Sequence, residues 1–213
     1  MVELLEQISE RLQQGDNTTV ADLTRRAIDT GIPPTEILDR GLLAGMDVVG
    51  ERFGAHEIFL PEVLLAARAM KAGMDLVKPL LVTGDAPSRG KIVLGTVKGD
   101  VHDIGKNLVG IMLEGAGFEV VDLGTGVAAE TFVDTAVAED ASVIGLSALL
   151  TTTMPGMREV VDLIHKRGHR DDLRIIVGGA PLSQAFADEI GADGYSYDAA
   201  GAVELVKNLV GAA

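Results

Sequence analysis

"KIVLGTVKGDVHDIGKNLVGIMLEGAG", residues 91–117, decides the fold. It opens on a short β-branched and aliphatic run, passes through a glycine-bounded loop, and continues into a segment with helical apolar spacing. A strand so apolar on both faces needs cover on both sides, the condition of a parallel sheet joined by crossover helices. The same rhythm returns in "EVVDLG", "SVIGLSA" and "RIIVGGA", with helical stretches such as "GMREVVDLIHKRG" between them. "GYSYD" and the closing "AAGAVELVKNLVGAA" supply a fifth strand and a last helix. The expectation for residues 91–213 is a flavodoxin-like (Rossmann-like), doubly wound, parallel five-stranded sheet.

Upstream, the apolar residues recur three and four apart without alternation, the pattern of amphipathic helices. Leu5, Ile8 and Leu12 mark a first helix, and Val20, Leu23 and Ala27 a second. After "TGIPPTE", where paired prolines end one helix and open another, Leu38, Leu42, Met46 and Val49 mark a third. "RFGAHEIFLPE" interrupts it, and Leu64, Ala67, Met70, Met74 and Val77 form a fourth stripe, with Pro61 near the start of that helix. Four such helices cover one another as a bundle. "VTGDAPSRG", residues 82–90, has the composition of a linker and hinge. The expected division is a helical domain at 1–83, a linker at 84–90 and an α/β domain at 91–213.

Composition narrows the function. At 213 residues and 47% hydrophobic the chain fills one good core or two modest ones. With 32 acidic against 18 basic residues, a net charge of -14, 3% aromatics and no Trp, it lacks what phosphate tracking and base stacking require, which argues against nucleic acid as a partner. The absence of Cys excludes disulfides, zinc thiolates and thiol nucleophiles, and suits a reducing compartment. "MVELLEQISERLQQ" is acidic and amphipathic, and no apolar run approaches membrane length. A cytoplasmic protein that spans no membrane is expected.

In doubly wound sheets ligands bind beyond the carboxyl ends of the strands. The loops there hold Asp100 to Asn107, Gly124 to Val127, Ser147 to Thr153 and Gly178 to Pro181. Asp100 lies two residues before His102, close enough for its carboxylate to hold one imidazole nitrogen while the other faces outward to a metal. The simpler alternative is a solvated loop in which Asp103 caps the next helix. A phosphate loop fails on spacing, because five residues separate Gly99 from Gly105 and Asn107 stands where Ser or Thr belongs. "GTGVAA", Gly124 to Ala129, mimics a dinucleotide fingerprint but follows the second strand of the sheet. His165 and His169 have helical metal spacing, yet Lys166, Arg167 and Arg170 crowd them, so a basic helix C-terminus accounts for them better.

Asp100-x-His102-x-x-Gly105, together with "SALLTTT" after the third strand and "VGGAP" after the fourth, resembles the cobalamin-binding signature of methionine synthase and of corrinoid methyl-carrier proteins. "RFGAHEIFLPEVLLAARAMKAGMDLVKPLL" resembles the cap module that precedes the Rossmann-like domain in those proteins. The resemblance implies cobalamin bound base-off and His-on, with His102 as the lower axial ligand of cobalt. It makes Asp100 the carboxylate behind that imidazole and Thr153 the hydroxyl completing a relay, where methionine synthase has a serine. It implies that Gly105, Gly178 and Gly179 leave space for the nucleotide tail and that Ser147 and Thr151 offer it hydroxyls. Val101, Asp103, Ile104, Leu149 and Ala180 fall among the implied cofactor contacts. Phe53 and Leu60 match the cap residues set against the upper axial ligand.

The activity this implies is a methyl carrier cycling between cob(I)alamin and methylcobalamin. It would be loaded by a substrate-specific methyltransferase and unloaded by an acceptor methyltransferase, to tetrahydrofolate or a thiol, with a reductive activation protein as a possible third partner. The protein alone would not be a complete enzyme. A cobalamin-based sensor or regulatory module is the alternative, although such sensors carry an attached signalling or DNA-binding domain. A mutase small subunit is a third reading, which lacks this type of cap. The methyl donor and acceptor are encoded in the partners.

Overall fold

The computed structural model describes residues 2–81 and 89–211; residues 82–88, and so nearly all of the expected linker and hinge, lie outside the described residues. Two compact units divide the chain, Met1–Pro87 with Gly115–Gly117, and Ser88–Glu114 with Phe118–Ala213.

The first unit is helical. α1 (Val2–Gln13) and α2 (Asn17–Asp29) bury the expected stripes, Leu5, Ile8 and Leu12 on one and Val20, Leu23 and Ala27 on the other. The Asp16 carboxylate caps α2 by accepting the Thr19 N–H at 3.0 Å. α3 (Pro34–Glu36) runs on through a π-helical segment, Ile37–Leu43, into α4 (Ala44–Gly54). The wider turn is a difference from the regular third helix expected, and its mark is the Ala44 N–H bonded to the Asp39 carbonyl five residues back. Gly41 and Gly45 both pack on α1, where an added Cβ would lie 3.2 Å from Ile8 and 3.1 Å from the Ser9 carbonyl.

α4 ends with His56 at φ 59, a left-handed residue whose N–H bonds the Phe53 carbonyl while Glu57 N–H reaches back to Arg52. α5 (Leu60–Val77) follows, with Pro61 in its first turn and the Glu62 carboxylate accepting the Phe59 N–H. Its buried stripe is Val63, Ala66, Ala69, Met70, Gly73 and Val77, which keeps the expected Met70 and Val77 but not Leu64, Ala67 or Met74. Leu64 is 41% exposed because small residues carry the packing: a Cβ on Gly73 would come within 2.5 Å of Leu42. A 3-10 turn, Lys78–Leu80, completes the described part of this unit.

The second unit has five parallel strands, β1 (Lys91–Thr96), β2 (Glu119–Asp122), β3 (Val143–Ser147), β4 (Arg174–Gly178) and β5 (Gly194–Ser196), in the order β2-β1-β3-β4-β5. The helices are α6 (Ile104–Gly115), α7 (Ala129–Ala138), α8 (Pro155–Arg167), α9 (Gln184–Ile190) and α10 (Ala199–Gly211). The expected flavodoxin-like fold is the one observed. Val93, Ile144 and Ile175 of the sheet pack with Phe132, Met157 and Ile164 of the helices in a single core. Gly95 makes room for Phe132, whose ring lies 2.7 Å from where a Cβ would be. The strand order reverses between β1 and β3, so a crevice opens beyond their carboxyl ends. The loop carrying His102 leaves β1, and the loop carrying Thr153 leaves β3.

Candidate functional site

The turn after β1 depends on Gly99, at φ 85, which lets Asp100 N–H close on the Val97 carbonyl at 3.1 Å. Asp100 is thereby fully buried between the two loops. Its Oδ1 lies 2.7 Å from His102 Nδ1 and also accepts the His102 N–H at 3.1 Å. Its Oδ2 accepts the N–H groups of Leu149 and Leu150, at 2.8 and 3.3 Å, and the Thr153 hydroxyl at 2.7 Å. Burial alone would raise the Asp100 carboxyl, but hydrogen bonds from Thr153, Leu149 and His102 outweigh it and hold the group well below the usual carboxylate range.

The charge on Asp100 decides the state of His102. An anionic acceptor at Nδ1 requires the proton on that nitrogen, which leaves the Nε2 lone pair of the neutral ring directed elsewhere. The His102 side chain is 46% exposed, so the ring is both held and accessible. Its backbone is held too, because the buried Thr96 hydroxyl donates to the His102 carbonyl at 2.9 Å. The Thr153 hydroxyl has a single proton and two acceptors, Asp100 Oδ2 and the Leu150 carbonyl at 2.8 Å. Among the described residues no group of three or more His, Cys, Asp or Glu is arranged to hold a metal ion.

Around this ring the surface is apolar. Val101 and Ile104 are 75% and 81% exposed, and Leu149 and Leu150 are 42% and 43% exposed. Large apolar side chains left so open around one imidazole mark a face that something covers. Gly105 is exposed and has no atom within 4 Å of a built Cβ, so nothing within the described protein demands a glycine there. Gly179, by contrast, sits at φ 142 with a Cβ position 1.9 Å from the Ala148 carbonyl, drawing the ends of β3 and β4 together. Gly178 pairs with Ser147 across those strands, while Thr151 and Ala180 are exposed on the loops that follow. Asp103 is partly buried, and its carbonyl accepts the Asn107 N–H at 2.7 Å as α6 begins.

The structure thus gathers Asp100, His102, Leu149 and Thr153 into one hydrogen-bonded group. Phe53, on the last turn of α4, and Leu60, the first residue of α5, are half-buried parts of the helical unit. His165 lies in the last turn of α8, which ends at Gly168 with φ 78, so His169 is outside the helix and the two do not share a helical face. Sequence reasoning missed Thr96 and the backbone donors of Leu149 and Leu150. It also weighed Lys106 only as part of a phosphate loop, although its spacing to Gly110 and Leu113 places it on the buried face of α6.

Residues 90–204 match the B12 binding domain, and residues 4–78 match a second domain of the same description. A corrinoid protein of Desulfitobacterium hafniense (strain Y51) is 42% identical over 99% of each chain. A dimethylamine corrinoid protein of Methanosarcina barkeri is 44% identical over 98% of each. Among solved structures, a cobalamin-binding protein from Desulfitobacterium hafniense DCB-2 is 34% identical with a TM-score of 0.79, covering 96% of this chain and 98% of that one. The methanol:cobalamin methyltransferase complex MtaBC from Methanosarcina barkeri contains a chain 32% identical with a TM-score of 0.89, covering 99% of this chain and 81% of that one. No described helix is long and apolar enough to cross a membrane. A two-unit chain in which both units match B12 binding domains, with an accessible imidazole at the switch point of its sheet, belongs to the cobalamin-binding corrinoid proteins.

Proposed function

We propose that this corrinoid protein holds cobalamin base-off and His-on and carries a methyl group between two methyltransferases. The observation that supports it most is the half-exposed His102 ring, backed by a buried anionic Asp100 and ringed by open apolar side chains. When bound, the cobalamin supplies a cobalt centre that accepts and releases a methyl group. His102 would hold the cobalt through Nε2, and the Asp100 carboxylate, 2.7 Å from Nδ1, would keep the proton there and so keep Nε2 available. Thr153 steadies Asp100. The exposed Val101, Ile104, Leu149 and Leu150 would be covered by the bound corrin and would exclude water from it.

Gly105 and Gly178 would leave the slot for the displaced nucleotide tail, Gly179 packing on Ala148 beside it, with Ser147 and Thr151 offering hydroxyls and Asp103 and Ala180 at its border. Residues 1–83 are read as the cap module, to which Phe53 and Leu60 belong, and residues 91–213 as the part that would hold the cofactor. The partners are a donor-specific methyltransferase of the kind the methylamine and methanol relatives are named for, and an acceptor methyltransferase using tetrahydrofolate or a thiol. A reductive activation protein would restore the carrier after oxidation.

His102→Ala tests the axial assignment. The variant loaded with hydroxocobalamin should have a shifted absorption spectrum, and its reduced form should lose the nitrogen splitting that an axial imidazole gives in electron paramagnetic resonance. An unchanged spectrum and splitting would rule His102 out. Gly105→Ala tests the slot: cofactor-free protein should be as stable as the parent or up to about 1 kcal/mol more stable in thermal melts. Cobalamin affinity should fall by about tenfold or more, because the methyl group occupies space the tail needs. Equal affinity in titration would remove Gly105 from the slot.

A further inference from the structure

Lys106 presents a puzzle of charge. It is the third residue of α6, where the helix end is itself positive, yet it is 3% exposed. An ammonium buried at that place works against the fold unless a specific arrangement offsets it. The arrangement is complete: the Nζ reaches both Asp122 oxygens at 2.5 Å and the Asn107 Oδ1 at 2.8 Å, so its three N–H groups each have an acceptor.

Asp122, at the end of β2, carries the linkage onward. Its Oδ1 accepts the Gly124 N–H at 2.9 Å, and the Gly124 carbonyl accepts the Thr96 N–H at 2.9 Å. The Thr96 carbonyl takes Val127 N–H at 3.0 Å, and Gly126 N–H bonds the Asp100 carbonyl at 3.0 Å. The Thr96 hydroxyl then donates to the His102 carbonyl. Hydrogen bonds therefore run from Lys106 through Asp122, Gly124 and Thr96 back to His102, four residues before the start of the circuit. Val101, His102 and Asp103 are suspended between Asp100 on one side and Lys106 on the other.

We infer that Lys106 and Asp122 are a positioning pair that fixes the height and tilt of the His102 ring. This rests on His102 being the axial ligand. An apolar pair of similar size would hold α6 against β2 at less cost in desolvation. The ion pair adds a fixed anchor, because one Nζ is tied at once to Asp122 and Asn107 and the first turn of α6 cannot slide along β2 without parting them; that turn begins two residues after His102.

The test compares Lys106→Met, Asp122→Asn and His102→Ala. In cofactor-free protein, nitrogen-detected NMR of the His102 ring should show a single tautomer in the parent and displaced or averaged signals in Lys106→Met. After loading with hydroxocobalamin, the ratio of ring-bound to ring-free cofactor, read from absorption at neutral pH, should fall by about tenfold in Lys106→Met. Asp122→Asn should fall less, since Asn retains an acceptor for the Gly124 N–H. Parent-like ring signals and spectrum in folded Lys106→Met would overturn the inference whatever its melting temperature does. If Lys106→Met does not fold, Asp122→Asn decides by the same two readouts. A parent-like spectrum in His102→Ala overturns the axial assignment instead, whereas an altered one with Lys106→Met unaltered overturns only the positioning pair.

Discussion

Asp100→Ala is expected to be the most damaging single change to the site. The substitution removes the buried acceptor of the His102, Leu149 and Leu150 N–H groups and of the His102 ring N–H, all part-buried, and leaves the Thr153 hydroxyl only the Leu150 carbonyl. Each orphaned donor costs part of its desolvation energy, and with partial rescue by water the loss should total about 2–4 kcal/mol in urea unfolding of the cofactor-free protein. A loss below about 0.5 kcal/mol, the range of ordinary surface changes, would contradict this geometry.

Acid should reveal the same carboxylate. Because hydrogen bonds depress its folded-state pKa, Asp100 contributes stability that is full above the unfolded value and is lost as pH falls below that ordinary value of 3.8. The parent should therefore lose stability more steeply than Asp100→Ala as the solution is taken below that pH. Parallel curves for the two proteins would show that the carboxylate is not preferentially ionised in the fold.

Gly179→Ala should have the second large effect, through sterics alone. Its new methyl group would stand 1.9 Å from the Ala148 carbonyl oxygen, and φ 142 is poorly tolerated by any L side chain. Relief requires β3 and β4 to part at their carboxyl ends, so a cost of about 3 kcal/mol is expected. Gly124→Ala makes the comparison. Gly124 also has positive φ, 79, but no atom within 4 Å of its Cβ position, so only the backbone term of about 1 kcal/mol applies. Similar losses in the two variants would show that the close approach of Gly179 to Ala148 is not what the glycine serves.

The strands were legible because "KIVLGTV" and its counterparts are apolar on both faces, a pattern few other structures tolerate. The loops after them were legible for the same reason, since parallel strands send all such loops to one edge. Leu64 misled because hydropathy weighs large side chains, whereas α5 packs through Ala66, Ala69 and Gly73, whose smallness sets the distance. The π-helical turn at Ile37–Leu43 left no trace, for one extra residue in a helical turn alters the period less than sequence noise does. At the site, the spacing of Asp100 and His102 could be read directly. Thr153 entered by resemblance. The N–H groups of Leu149 and Leu150 could not be read at all, because every residue but proline has one and only the fold decides which are aimed at a carboxylate.

The described sheet ends on two edge strands, and they differ. β5 is three residues long and offers little backbone to an approaching strand. β2 carries an acid at each end, Glu119 and Asp122. Both acids are tied within the unit, Glu119 to Lys91 at 3.3 Å and Asp122 to Lys106 at 2.5 Å, so their side chains stand fixed along the margin that a strand of another copy would have to join. Strand addition is thus discouraged at both margins, between chains that already repel one another at a net charge of -14.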